Sequence, residues 1–145
     1  MADIGKFNTL EVIAITDTGA YLKAGELGEV LLPNRLIPEK CKVNDKLNVF
    51  LYVDSADRVT ATTNTPLGQV GEFVSLKVVQ TNKMGAFLDW GLPKDLLVPF
   101  NQQHTAMEEG KYYLVRIFLD LKTDRLVASS KLDKFIDIWP AEYNK

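Results

Sequence analysis

The chain has 145 residues, 46% hydrophobic and 25% charged, which suits one ordinary domain or two small ones. A formal net charge of −2 excludes a protein that lives on phosphate contacts alone, so any nucleic acid must be held on a local face. The single cysteine, Cys41, excludes an internal disulfide framework and a cysteine-based zinc cluster; with no ~20-residue apolar span and no secretory leader, the expected location is the cytoplasm.

Short runs rich in β-branched and aromatic residues, punctuated by Gly, Asn, Asp and Pro, predict strands. They fall at Lys6–Ile15, Ala20–Ala24 and Glu29–Leu32, then, after a loop or short helix with two prolines, at Leu47–Val53 and Arg58–Thr62. The turn-rich segment TNTPLGQ, Thr63–Gln69, is the expected linker, short enough to hold its two sides in contact. Beyond it, strands are expected at Glu72–Gln80, Ala86–Asp89, Leu96–Val98, Tyr112–Leu119 and Arg125–Ser129. The remainder, KLDKFIDIWPAEYNK, fits neither set and reads as a short packed helix or a lead-in to further sequence.

The two sets are copies of one unit. Ile4–Leu22 aligns with Val70–Leu88 at an offset of 66 residues. Gly5, Phe7, Leu10, Val12, Gly19, Ala20 and Leu22 recur as Gly71, Phe73, Leu76, Val78, Gly85, Ala86 and Leu88. Further on, Val49, Leu51, Val53 and Asp54 match Val115, Ile117, Leu119 and Asp120. One inserted residue later, DRVTATT matches DRLVASS.

The repeat decides the meaning of TDTGAYL, Thr16–Leu22, whose Asp-Thr-Gly-Ala resembles the catalytic loop of an aspartic protease. Asp17 has Lys83 as its counterpart, whereas a carboxylate dyad needs both acids to share one proton. The favoured reading is a β-turn, where Asp and Gly supply local hydrogen bonding and positive φ.

Alternation assigns faces. Val49, Leu51 and Val53 oppose Phe50, Tyr52 and Asp54, as Val115, Ile117 and Leu119 oppose Arg116, Phe118 and Asp120. Ala20, Leu22, Ala86 and Leu88 point inward, and Tyr21 and Phe87 outward. Two five-stranded units, each with one closed apolar interior, predict an all-β chain of two small barrels. The expected divisions are 1–64, 69–132 and a C-terminal segment, 133–145. Phe50, Tyr52 and Phe118 are expected to pack between barrels or beneath the Pro-rich loop.

The sequences GAFLD, DLLVP and VRIFLD with the following DRLVASSK resemble the S1 RNA-binding domain, an OB-fold barrel, over Gly71–Lys131. Copy one, Gly5–Thr63, is a more divergent version. The tandem layout, with GLPKDLLVPFNQQ in place of the histidine-bearing loop, is similar to the CvfB/YitL family of bacterial S1 proteins. That resemblance implies the amino-terminal portion of a longer protein and single-stranded RNA as partner, bound weakly by each barrel, in post-transcriptional regulation. It places the exposed family aromatic on Phe87 and Tyr21. It places the acidic residue and following arginine on Asp120 and Arg125 in copy two, and on Asp54 and Arg58 in copy one. A second family aromatic falls on Met84 and Thr18, and the family histidine on Pro99 and Pro33; these are departures.

Other readings compete. Asp54 and Asp120 can equally cap turns, and Arg58 and Arg125 can simply pair with them. A tandem that binds a protein partner or serves architecture is the alternative function, favoured by the acidic balance, the missing stacking positions and the outward Phe50 and Tyr52. His104 has no second ligand near it in sequence, Cys41 reads as a passive thiol, and no catalytic constellation or phosphate-cradling loop is present. No enzyme activity, metal or cofactor is expected.

Overall fold

The computed structural model describes residues 2–54, 56, 58–123 and 125–131. The C-terminal segment 133–145 lies outside the described residues. Among the described residues there are ten strands: β1 Phe7–Ile15, β2 Gly19–Lys23, β3 Glu29–Pro33, β4 Lys46–Val53, β5 Val59–Thr62, β6 Phe73–Asn82, β7 Gly85–Asp89, β8 Leu96–Pro99, β9 Tyr112–Asp120 and β10 Arg125–Ser129. Each matches an expected strand, with ends displaced by no more than two residues.

The first five strands close in the order β1-β2-β3-β5-β4, and the second five repeat that order as β6-β7-β8-β10-β9. These are the two small closed barrels that the alternation predicted, in the tandem OB-fold arrangement that the S1 resemblance implied. In each barrel the third and fifth strands pair in parallel, Leu31 with Thr60 and Leu97 with Val127, and the other pairings are antiparallel. The repeat extends to irregularities. β1 bulges between Val12 and Ala14, and β6 between Val78 and Gln80, which bends a long first strand around both ends of its barrel.

Gly19 and Gly85 explain why glycine recurs at the start of the second strand. Their φ angles are +149° and +145°, and a side chain there would be driven into the carbonyl of Leu32 or of Val98 on the neighbouring strand. The close approach of β2 to β3 and of β7 to β8 therefore requires the missing Cβ.

Barrel one is filled by Leu10, Val12, Ala20, Leu22, Leu32, Val49, Leu51 and Ala61. Leu76, Val78, Ala86, Leu88, Val98, Val115, Ile117 and Ala128 occupy the equivalent places in barrel two. Phe50 and Tyr52 alternate away from the first core, yet they are only 0% and 6% exposed and join the apolar cluster of barrel two. The Phe50 ring stands edge-on to Phe7, with centroids 5.4 Å apart, and to Trp90, at 5.6 Å. Burying such rings is worth ~1.5–3 kcal/mol each.

The joint is also hydrogen bonded. Val70 N–H donates to the Gly5 carbonyl (2.8 Å), and Phe7 N–H to the Gln69 side-chain oxygen (3.1 Å). The Trp90 indole N–H donates to the Lys94 carbonyl (2.7 Å), which shapes the β7–β8 loop that meets barrel one.

The repeat shows what the joint demands. Phe7 and Phe50 correspond to Phe73 and Arg116 in barrel two. There the guanidinium carbon lies 5.8 Å from the Phe73 ring centroid, while Arg116 Nε–H donates to the Gly71 carbonyl (3.2 Å). A ring–ring pair in the barrel that is covered by its neighbour becomes a ring–cation pair in the other.

Candidate nucleic-acid interface

Strand register places the expected ring and arginine on one face. Gln80, Phe87, Leu97, Val127 and Phe118 pair laterally in one row across β6, β7, β8, β10 and β9. Residues paired across a sheet share its face, so Phe87 looks outward beside Leu97 and is half-buried by its neighbours. Arg125 lies two residues before Val127 on β10, hence on the same face with only β8 between it and Phe87. It is exposed and stands opposite Asp120 on β9.

Barrel one builds the same row from Ala14, Tyr21, Leu31, Thr60 and Tyr52. Tyr21 is half-buried, and Arg58 precedes Thr60 by two residues, as Arg125 precedes Val127.

The two aspartates are largely occupied by turns. Asp54 Oδ1 accepts from the backbone N–H groups of Ala56 (2.9 Å) and Arg58 (3.0 Å), and Oδ2 from the Thr60 hydroxyl (3.2 Å). The Arg58 guanidinium is 3.3 Å from Oδ2. Burial pushes the Asp54 carboxyl up, but the N–H donors of Arg58 and Ala56, the Arg58 charge and the Thr60 hydroxyl together hold it below the ordinary carboxylate value. Asp120 Oδ1 accepts from Lys122 N–H (3.0 Å). Both carboxylates accept turn hydrogen bonds, and Asp54 and Arg58 form the ion pair that sequence reasoning weighed beside a binding role.

Sequence reasoning missed residues at both ends of these faces. Pro99, paired with Gly85, ends β8, and the chain turns there into a short 3-10 segment, Phe100–Gln102. Phe100 emerges 58% exposed, and Met84, just before Gly85 at the same end, is 52% exposed. The period-2 pattern would have turned Phe100 inward with Val98; the turn is what brings it out. At the opposite end of barrel one, the Lys94 ammonium reaches across the joint and donates to the Asp54 carbonyl (3.0 Å). No signal in the sequence pointed to that contact.

Among the described residues, no group of three or more His, Cys, Asp or Glu could hold a metal ion, and no helix is long and apolar enough to cross a membrane. The Cys41 thiol is pushed up by burial and by the nearby Asp45 charge, which disfavours the reactive thiolate.

Comparison with known proteins agrees with this geometry. The S1 domain family matches the chain twice, over residues 4–64 and 70–131. The Bacillus subtilis protein YitL is 38% identical over 95 residues, covering 65% of this chain and 32% of YitL. Conserved virulence factor B of Staphylococcus epidermidis is 29% identical over 124 residues, covering 81% of this chain and 41% of the relative. The chain thus spans less than half the length of these relatives. A crystal structure of a multidomain protein with nucleic acid binding domains from Streptococcus pneumoniae superposes with a TM-score of 0.75 at 19% identity. It covers 94% of this chain and 49% of that one. With one match on each barrel, together spanning most of its length, the chain belongs to the S1 domain family.

Proposed function

We propose that the protein binds single-stranded RNA on an outward barrel face, catalyses no reaction, and acts in the bacterial cytoplasm in post-transcriptional regulation. The observation that carries the reading is an outward ring and an arginine one strand apart in barrel two, Phe87 with Arg125; barrel one repeats the placement in form with Tyr21 and Arg58. Every base offers a π-face, so an outward ring gives sequence-tolerant stacking of ~1–3 kcal/mol per base. A guanidinium beside it holds phosphate or stacks in turn. S1 membership and the nucleic acid binding domains of the streptococcal neighbour support the partner class. The staphylococcal relatives, named for virulence, support a regulatory role.

The alternative, a tandem that recruits a protein partner, drew support from the acidic balance, the missing stacking positions and, as outward rings, Phe50 and Tyr52. Both are sealed between the barrels and offer nothing to a third molecule. Fluorescence anisotropy with labelled oligo-U and oligo-A tests the proposal. Phe87→Ala and Arg125→Ala should each weaken binding by about 5- to 150-fold, and affinity should fall steeply with salt. Unchanged affinity in both variants would remove this face from consideration.

A further inference from the structure

The two barrels share a fold but not a surface, and the ends of the proposed binding face differ in chemistry. At one end barrel two presents Lys83, Met84 and Phe100, which are all exposed. The repeat puts Asp17, Thr18 and Asn34 at the same places in barrel one. A cation, a thioether and an aromatic ring are thereby exchanged for an anion, a hydroxyl and an amide. The first set suits a phosphate and a base; the second repels the phosphate and offers no π-surface.

At the other end barrel one is engaged by its neighbour. In barrel one, Arg58 is held by Asp54, whose turn is itself pinned through its carbonyl by Lys94 of barrel two. The β4 rings beside that turn are buried in the joint. Barrel one thus gives the turn at this end and an adjoining face to the joint with its neighbour.

We propose that barrel two alone carries the strand, along a track from Phe100 through Phe87 to Arg125, and that barrel one is its buttress. Register sets the track. Phe100 leaves β8 past Pro99, Phe87 sits opposite Leu97, and Arg125 lies at the far end of β10, a span of roughly 16 Å at ~3.3 Å per residue. Phe100 supplies a second stacking ring, one residue beyond Pro99. The proposal rests on the RNA-binding reading above, and it adds which barrel binds and through which ring.

The test is anisotropy with a labelled uridine oligomer on the whole chain, comparing Phe100→Ala, Phe100→Trp, Phe100→Leu, Phe87→Ala and Tyr21→Ala. Phe100→Ala and Phe100→Leu are expected to weaken binding about tenfold, Phe100→Trp to keep it, and Tyr21→Ala to stay within about twofold of the parent. Thermal melts of all variants separate lost contact from lost fold, since an exposed ring should leave the melting temperature in place. Two results overturn the proposal while Phe87→Ala still weakens binding and leaves the RNA reading standing: Phe100→Ala with parent affinity, or Tyr21→Ala as damaging as Phe100→Ala. A parent chain that shows no binding at low salt removes both.

Discussion

The Phe50 ring meets the Trp90 ring edge to face, 5.6 Å between centroids and 78° between planes, although the two residues belong to different barrels. Phe50 projects from the outside of barrel one, and Trp90 from the loop after β7 of barrel two. Neither is visible to water, at 0% and 2% exposure. The contact makes the tandem one packed body, because exposing both rings would cost more than a seven-residue linker could recover by chain freedom.

Phe50→Ala should therefore cost ~3–5 kcal/mol, the usual loss for a buried phenylalanine. It should also uncouple the barrels. Urea unfolding followed by tryptophan fluorescence and by far-UV circular dichroism should coincide in the parent and separate in the variant.

Gly85→Ala should destabilise barrel two by ~1–3 kcal/mol, since the new Cβ meets the Val98 carbonyl and the φ of +145° disfavours any side chain. The same change at Gly110, where a Cβ would meet nothing within 4 Å, isolates the backbone effect from the steric one. A chemical denaturation series on the two variants should rank Gly85→Ala as the costlier.

Asp54→Asn should cost about 1 kcal/mol at neutral pH, because an amide accepts the turn hydrogen bonds less strongly than a carboxylate. The folded carboxyl is held below its ordinary value, so its stabilisation is complete above the unfolded carboxylate range and is lost as pH falls through the folded value. The difference between parent and variant should shrink toward zero in melts run at progressively lower pH.

Asp95 behaves in the opposite sense. Burial, and then the neighbouring Asp89 charge, push its carboxyl up, so ionising it opposes folding. That penalty is absent below the unfolded carboxylate range and grows as pH rises through the folded value. Asp95→Asn should stabilise the chain by about 0.5 kcal/mol near pH 7 and have no effect in acid, as read by differential scanning calorimetry.

Most of the fold was written in the spacing of apolar residues. Because Gly19 and Gly85, Val12 and Val78, and Leu51 and Ile117 recur at one offset, each barrel served as a control on the other, and strand ends fell within two residues. What the pattern could not supply was the environment of the outward faces. Period-2 alternation says that Phe50 points away from its own core, and only the second barrel decides that it is buried. It also fails at strand ends: Phe100 follows Pro99 into a 3-10 turn, which rotates it out of the alternating register. The candidate ring Phe87 was legible because it lies mid-strand. The carboxylate of Asp54 was legible as an acid before a turn, but its commitment to Ala56, Arg58 and Thr60 depends on where that turn folds.

The aromatic seam around Phe50 has a consequence for birth of the chain at the ribosome. Barrel one is complete in sequence by Asn64, but the ring that covers it, Trp90, has yet to be synthesised. Translation at ~5–20 residues per second leaves a sticky patch of Phe7, Phe50 and Tyr52 bare for on the order of a few seconds. During that interval the nascent polypeptide is open to capture by chaperones or to pairing with a second nascent copy.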